Sequence, residues 1–278
     1  MSAADARRLF AELIEKDEAT LDLATASLLI AKEEYPDLSI DAYVKRLDWM
    51  AEQVESSWTV ADSPLHFIRA LNRYLFDEEG FTGNTWEYYD PRNSFLNDVL
   101  DRKTGIPITL SVVYMEVGRR LGLPLVGVGL PAHFVVKYQA PDEEILIDPF
   151  HRGAILSEEH CRRLVEELRG GTIRFRRGFL EPVTKRQILT RMLNNLKNIY
   201  IKAGEYQKAL SVVERILLLN PGSLQETRDR GLLYARVKRY AKALSDLQAY
   251  LNAFPKAPDA PSIRQQILSI RQAIALLN

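Results

Sequence analysis

The 278-residue chain has four histidines, His66, His133, His151 and His160, and a single cysteine, Cys161, so few groups can move protons or form covalent intermediates near neutral pH. His133 follows a Pro-Ala turn and opens the extended run HFVVKY, while Asp148 lies at the end of EILIDPF. If these runs are antiparallel neighbours, the imidazole and the carboxylate meet at one sheet edge. That is the arrangement by which a carboxylate orients an imidazole and fixes its tautomer. A buried helix beginning near Ile106 would aim free N–H groups at the same edge and stabilise an anion. Thr109 and Ser111 lie within a turn of that helix start and are the hydroxyls His133 would have to activate. Each helical residue turns by about 100°, so they point elsewhere than position 107. Both are expected to hydrogen-bond to the preceding turn. Cys161 shares an apolar helix face with Leu164, Val165 and Leu168 and is expected to be a buried, inert thiol. His133, Asp148 and His151 are metal-ligand types, but spacings of 15 and 3 residues match no short metal signature. No metal and no cofactor is therefore expected.

The elements that must carry these groups are legible as an α+β pattern. Residues 1–180 open with helices: an apolar-rich stretch over 21–31, a helix capped by Ser39, and another starting at Pro64. The segment GFTGNTWEYYDPRN reads as a loop ending before a helix near Ser94, with Tyr88, Tyr89, Asp90, Arg92 and Asn93 as connecting residues. Residues 107–121 are apolar on nearly every face for two turns, which marks a helix buried inside a domain. LVGVGL, HFVVKY and EILIDPF follow as strands of a small antiparallel sheet, and Ser157 starts a further helix. Residues 181–278 are all-α and repetitive. Tyr200, Tyr206, Lys208, Ala209, Leu210, Leu217 and Pro221 recur 34 residues later as Tyr234, Tyr240, Lys242, Ala243, Leu244, Leu251 and Pro255. That period, with a small residue in each second helix, resembles tetratricopeptide repeats, followed by a capping helix bearing Ile263, Ile267, Ile270 and Ile274.

A second resemblance covers roughly residues 30–278. Gly105-Ile106-Pro107, the helix end Arg120-Leu121-Gly122-Leu123-Pro124, His133-Phe134-Val135-Val136 and Ile147-Asp148-Pro149 follow the order of the transglutaminase-like, papain-related fold. With the stretch YDPRNSFLNDVLDRKTGIPITLSVVYMEVGRRLGL and the repeat tail, the chain resembles the bacterial transglutaminase-like/tetratricopeptide family of SirB-type invasion regulators. The resemblance implies a fold and a cytosolic regulatory role, without a defined reaction. It also implies that His133 and Asp148 are the remnant of a triad whose nucleophilic Cys position is held by Pro107. Two members of a triad cannot form a covalent intermediate.

Composition sets the remaining bounds. The chain is 46% hydrophobic and 27% charged, as in soluble globular proteins. It has no apolar run near the roughly 18 residues that span a bilayer, and one cysteine excludes an internal disulfide or a multi-cysteine metal site. A cytoplasmic location without membrane association is expected. Residues 1–160 carry a net charge of −13 and the remainder +13, which is expected to reflect docking between the halves rather than nucleic-acid binding, since the basic residues are scattered. The leading expectation is a non-catalytic regulator or scaffold that binds protein or peptide partners through the repeats, with Tyr200, Tyr206, Tyr234 and Tyr240 as binding residues. The alternatives are a hydrolase or acyl-transferase using Ser111 or Thr109 with His133 and Asp148, and nucleic-acid binding by the basic C-terminal part.

Overall fold

The computed structural model describes residues 2–56 and 63–276, which divide into two compact units, residues 1–192 and 193–278. The first unit begins with helices α1 (Ala3–Ile14), α2 (Leu23–Lys32), α3 (Ile40–Glu55) and α4 (Pro64–Asn72). Ser2, Asp22 and Ser39 accept N–H groups that the first turns of α1 to α3 leave unpaired. A π-helical turn, Arg73–Glu78, extends α4 and buries three consecutive residues, Tyr74, Leu75 and Phe76. The segment expected to be loop holds β1 (Thr82–Gly83) and a 3-10 turn, Pro91–Ser94, before α5 (Leu96–Arg102). β1 pairs in parallel with β2 (Thr104–Gly105). Two residues per strand are too few for any periodic signal, and backbone pairing rather than side-chain pattern defines them.

Helix α6 (Pro107–Arg120) is buried continuously from Pro107 to Gly118, as its all-round apolar face requires. It packs against β3 (Leu125–Val128) and β4 (Val135–Ala140). β5 (Glu143–Asp148) follows, then a 3-10 turn over Pro149–His151, β6 (Ala154–Leu156), α7 (Glu158–Leu168) and β7 (Pro182–Val183). The sheet has five strands in the order β6-β5-β4-β3-β7, every neighbour antiparallel. The three expected strands form its centre. The two edges are strands of two or three residues, short enough to limit edge-to-edge pairing.

Helix α8 (Lys185–Lys202) closes the first unit and opens the second, which continues with α9 (Tyr206–Leu219), α10 (Leu224–Arg236), α11 (Tyr240–Ala253) and α12 (Ala260–Ala275). α10 packs on both α9 and α11, and α11 on α12. Ala209 and Ala243 have no exposed surface, and α12 buries Ile263, Ile267 and Ile270. Replacing either alanine by Leu forces extra methylenes between packed helices, so a loss on the order of 1–3 kcal/mol each is expected. Thermal unfolding read by far-ultraviolet circular dichroism checks this. An unchanged midpoint in both variants would contradict the repeat register.

Candidate functional site

The register of the sheet explains why His133 and Asp148 meet. Val136 pairs with Ile147, which sets Asp148 opposite Val135 and on the same face as His133 two residues earlier, a diagonal neighbour within side-chain reach. Before β4 the chain turns at Pro131 and Ala132, and the His133 N–H closes the turn on the Leu130 carbonyl at 3.1 Å. Ala132 adopts φ 67° there, a left-handed conformation costing a non-glycine residue about 1 kcal/mol. Arg191, from α8, fastens the result by donating to the Leu130 carbonyl at 2.9 Å and to the His133 carbonyl at 2.5 Å.

Asp148 divides its two oxygens between backbone and side chains. Oδ1 accepts the N–H groups of Phe150 at 3.0 Å and His151 at 3.4 Å, the Asx-turn chemistry that an Asp-Pro step favours. Oδ2 accepts both from His133 Nε2 and from His151 Nδ1, each at 2.8 Å. The carboxylate is 1% exposed and the His133 side chain 4%, whereas His151 remains 57% exposed. Burial alone would raise the Asp148 pKa, but the hydrogen bonds from His133 and His151 outweigh it and hold the carboxyl well below the usual carboxylate range. The same hydrogen bond raises the pKa of His151 against its partial burial. The Phe150 ring meets His133, His151 and Tyr88 edge-on. It lies so close to Gly83 that a Cβ there would fall 2.6 Å from it, and only glycine allows that approach.

Comparison with known proteins bears on this arrangement. A transglutaminase-like superfamily model matches residues 41–194 and a tetratricopeptide repeat model residues 196–268. A UPF0162 protein of Xylella fastidiosa is 38% identical over 272 residues, 94% of each chain. One of Vibrio cholerae is 27% identical over 256 residues, covering 92% of this chain and 94% of its own. Protein SirB1 of Salmonella typhimurium is 28% identical over 241 residues, 85% of this chain and 87% of its own. This chain belongs to the SirB-type transglutaminase-like family.

In this SirB-type chain, Pro107 is the first residue of α6 and is buried. Thr109 is committed to the backbone: its hydroxyl donates toward the Asn93 carbonyl at 2.7 Å and accepts the Ile106 N–H at 3.1 Å. Ser111 departs from expectation. Its hydroxyl is fully buried and makes no hydrogen bond, neither to the preceding turn nor to His133. His133 Nδ1 has no hydrogen-bond partner among the described residues. Cys161 is fully buried among Val128, Leu130, Val135 and Val165, and burial pushes its thiol pKa up to about 11, so little nucleophilic thiolate is present at neutral pH. Of the loop residues, Tyr88 reaches Phe150, Asn93 is buried, and Trp86 stands 96% exposed.

The repeat unit contains a cavity of about 670 Å³ lined by Ile201, Tyr206, Leu232, Arg236, Tyr240 and Gln266 among others. Tyr206 and Tyr240 thus face it. Tyr200 and Tyr234 are buried within the repeats, the latter with its hydroxyl on Glu214 at 3.2 Å. Two acids at the cavity are already neutralised, Asp229 by Lys197 at 3.0 Å and Asp259 by Arg228 at 2.7 Å. Arg236 lies over the Tyr206 ring at 5.5 Å and has no ion pair among the described residues. No helix among the described residues is long and apolar enough to cross a membrane.

Proposed function

We propose that this SirB-type chain is a non-catalytic regulatory protein that holds an acidic, partly apolar peptide segment of a protein partner in the cavity of its repeat unit. The observation carrying this reading is the cavity itself, in which Ile201, Leu232, Tyr206 and Tyr240 offer apolar and aromatic surface beside the unpaired Arg236. Such a wall favours aliphatic or aromatic side chains next to a carboxylate. The transglutaminase-like unit supports the reading from the other side. Pro107 has no nucleophilic atom, the Thr109 hydroxyl is held by backbone groups, and the Ser111 hydroxyl has no base on it. A hydrolase route through either hydroxyl would need a proton acceptor that neither touches.

Selection of random linear peptides on the full chain should enrich sequences combining Asp or Glu with Leu, Ile or Phe. Fluorescence anisotropy of a selected peptide should show at least tenfold weaker binding to Arg236→Glu, with the melting temperature of that exposed-site variant unchanged. Failure to enrich any sequence, or equal binding by Arg236→Glu and Tyr240→Ala, would overturn the assignment of the cavity.

A further inference from the structure

Asp148 needs one imidazole to tie two strands together, and it holds two. We propose that His133, Asp148 and His151 form a binding site for a divalent transition-metal cation of the Zn²⁺ class. One ligand atom from each of the three residues lies within 4.8 Å of the others, and His133 Nε2 and His151 Nδ1 both approach Asp148 Oδ2 at 2.8 Å. Two imidazole nitrogens and a carboxylate oxygen suit Zn²⁺ and similar ions, whereas Mg²⁺ and Ca²⁺ prefer oxygen alone.

The site is built on both sides of the ligands. Asp148 Oδ1 is anchored by two backbone N–H groups, which leaves Oδ2 directed at the imidazoles. Arg191 clamps the backbone of His133, and the Phe150 ring edge borders its imidazole. Supporting contacts of this kind orient ligands in known metal centres. His151 differs in being exposed, on a three-residue turn. It supplies the entry path and leaves coordination positions open to water.

The 2.8 Å separations from Oδ2 are hydrogen-bond distances. Metal bonds of about 2.0–2.1 Å in a tetrahedron set ligand atoms about 3.3 Å apart, so each imidazole must withdraw from Oδ2 by about half an ångström while the widest separation in the cluster, up to 4.8 Å, closes. The short turn carrying His151 can yield that much. On binding, the metal replaces the proton on each ligating nitrogen, so that His133 carries its proton on Nδ1 and His151 on Nε2, and any proton in excess of one per ring is released to solvent. The spacing in sequence hides the site because a hairpin and a 3-10 turn, rather than one helix, bring the ligands together.

The test uses the untagged full chain, stripped with a chelator and titrated with ZnCl₂ by calorimetry and with CoCl₂ by visible absorption. One cation per chain should bind, and Co²⁺ should develop the intense bands of four- or five-coordinate geometry. Asp148→Asn and His151→Ala should each weaken binding at least tenfold, and His160→Ala, at an exposed histidine outside the cluster, should leave it unchanged. Should Asp148→Asn fail to fold, His151→Ala carries the test, since that side chain is exposed. Absence of saturable binding in the micromolar range, or binding that survives His151→Ala, would overturn the proposal.

Discussion

Asp148→Ala is expected to destabilise the first unit by about 3–5 kcal/mol, because several buried donors lose their acceptor at once and each costs about 1–3 kcal/mol when left unsatisfied. The substitution strips acceptors from the N–H groups of Phe150 and His151 and from two imidazole nitrogens, one of them on the buried ring of His133. Amide hydrogen exchange of β4 and β5, measured with chelator present, checks it: protection there should fall while that of α10 and α11 is retained. Stability should also depend on pH in two windows. The Asp148 pKa is lowered by folding, so its contribution is present above the unfolded value of about 3.9 and is lost as pH falls through the lower folded value. The His151 pKa is raised, so its smaller contribution, screened by solvent, is present below about 6.5 and is lost as pH rises through the raised value. Both slopes should flatten in Asp148→Ala. An unaltered profile would show that the carboxylate is not what couples this unit to protons.

The second large effect is expected at Gly153, which follows the His151 turn with φ 72°. Asn72 Nδ2 donates to the Gly153 carbonyl at 2.8 Å, and its Oδ1 accepts the hydroxyl of the buried Tyr114 at 2.9 Å. A Cβ on Gly153 would fall 2.1 Å from that same Oδ1. Gly153→Ala must therefore displace the amide that joins α4, α6 and the turn, in addition to placing alanine in the left-handed region. Strain of about 1 kcal/mol and overpacking of about 1–3 kcal/mol suggest a loss of roughly 2–4 kcal/mol in denaturant unfolding. In an Asn72→Ala background the clash is gone, and the added cost of Gly153→Ala should fall toward the strain alone. An equal cost in both backgrounds would exclude the clash as the cause.

How far the sequence revealed the site depends on how local each contact is. The His133–Asp148 pairing was legible because strand periodicity and a Pro-Ala turn place both at one sheet edge. The approach of His151 rests on a three-residue turn capped by Asp148, and the Asp-Pro step announces such a turn without saying where the third side chain will point. Arg191 carries no local mark: it lies 58 residues beyond the carbonyl it clamps, and only the packing of α8 makes it part of the site. The unpaired Ser111 hydroxyl was equally hidden, since residue type gives a capacity for hydrogen bonds and the neighbours decide whether it is met. The family resemblance supplied the transglutaminase-like fold, which does not follow from periodicity.

The division between the units at residues 192 and 193 falls inside α8. Ile188, Leu189 and Met192 are fully or almost fully buried, and Arg191 donates its two carbonyl bonds, all from the part of that helix preceding the division. A chain ended at residue 180, where the sequence places the start of the repeats, would thus lack part of the first unit's own interior. One begun at residue 193 would open in mid-helix, without the first two turns of α8. Gene fusion, domain exchange and limited proteolysis therefore meet the same obstacle in this protein: the boundary falls within a helix, and any exchange of repeats must carry that helix's first turns along or rebuild them.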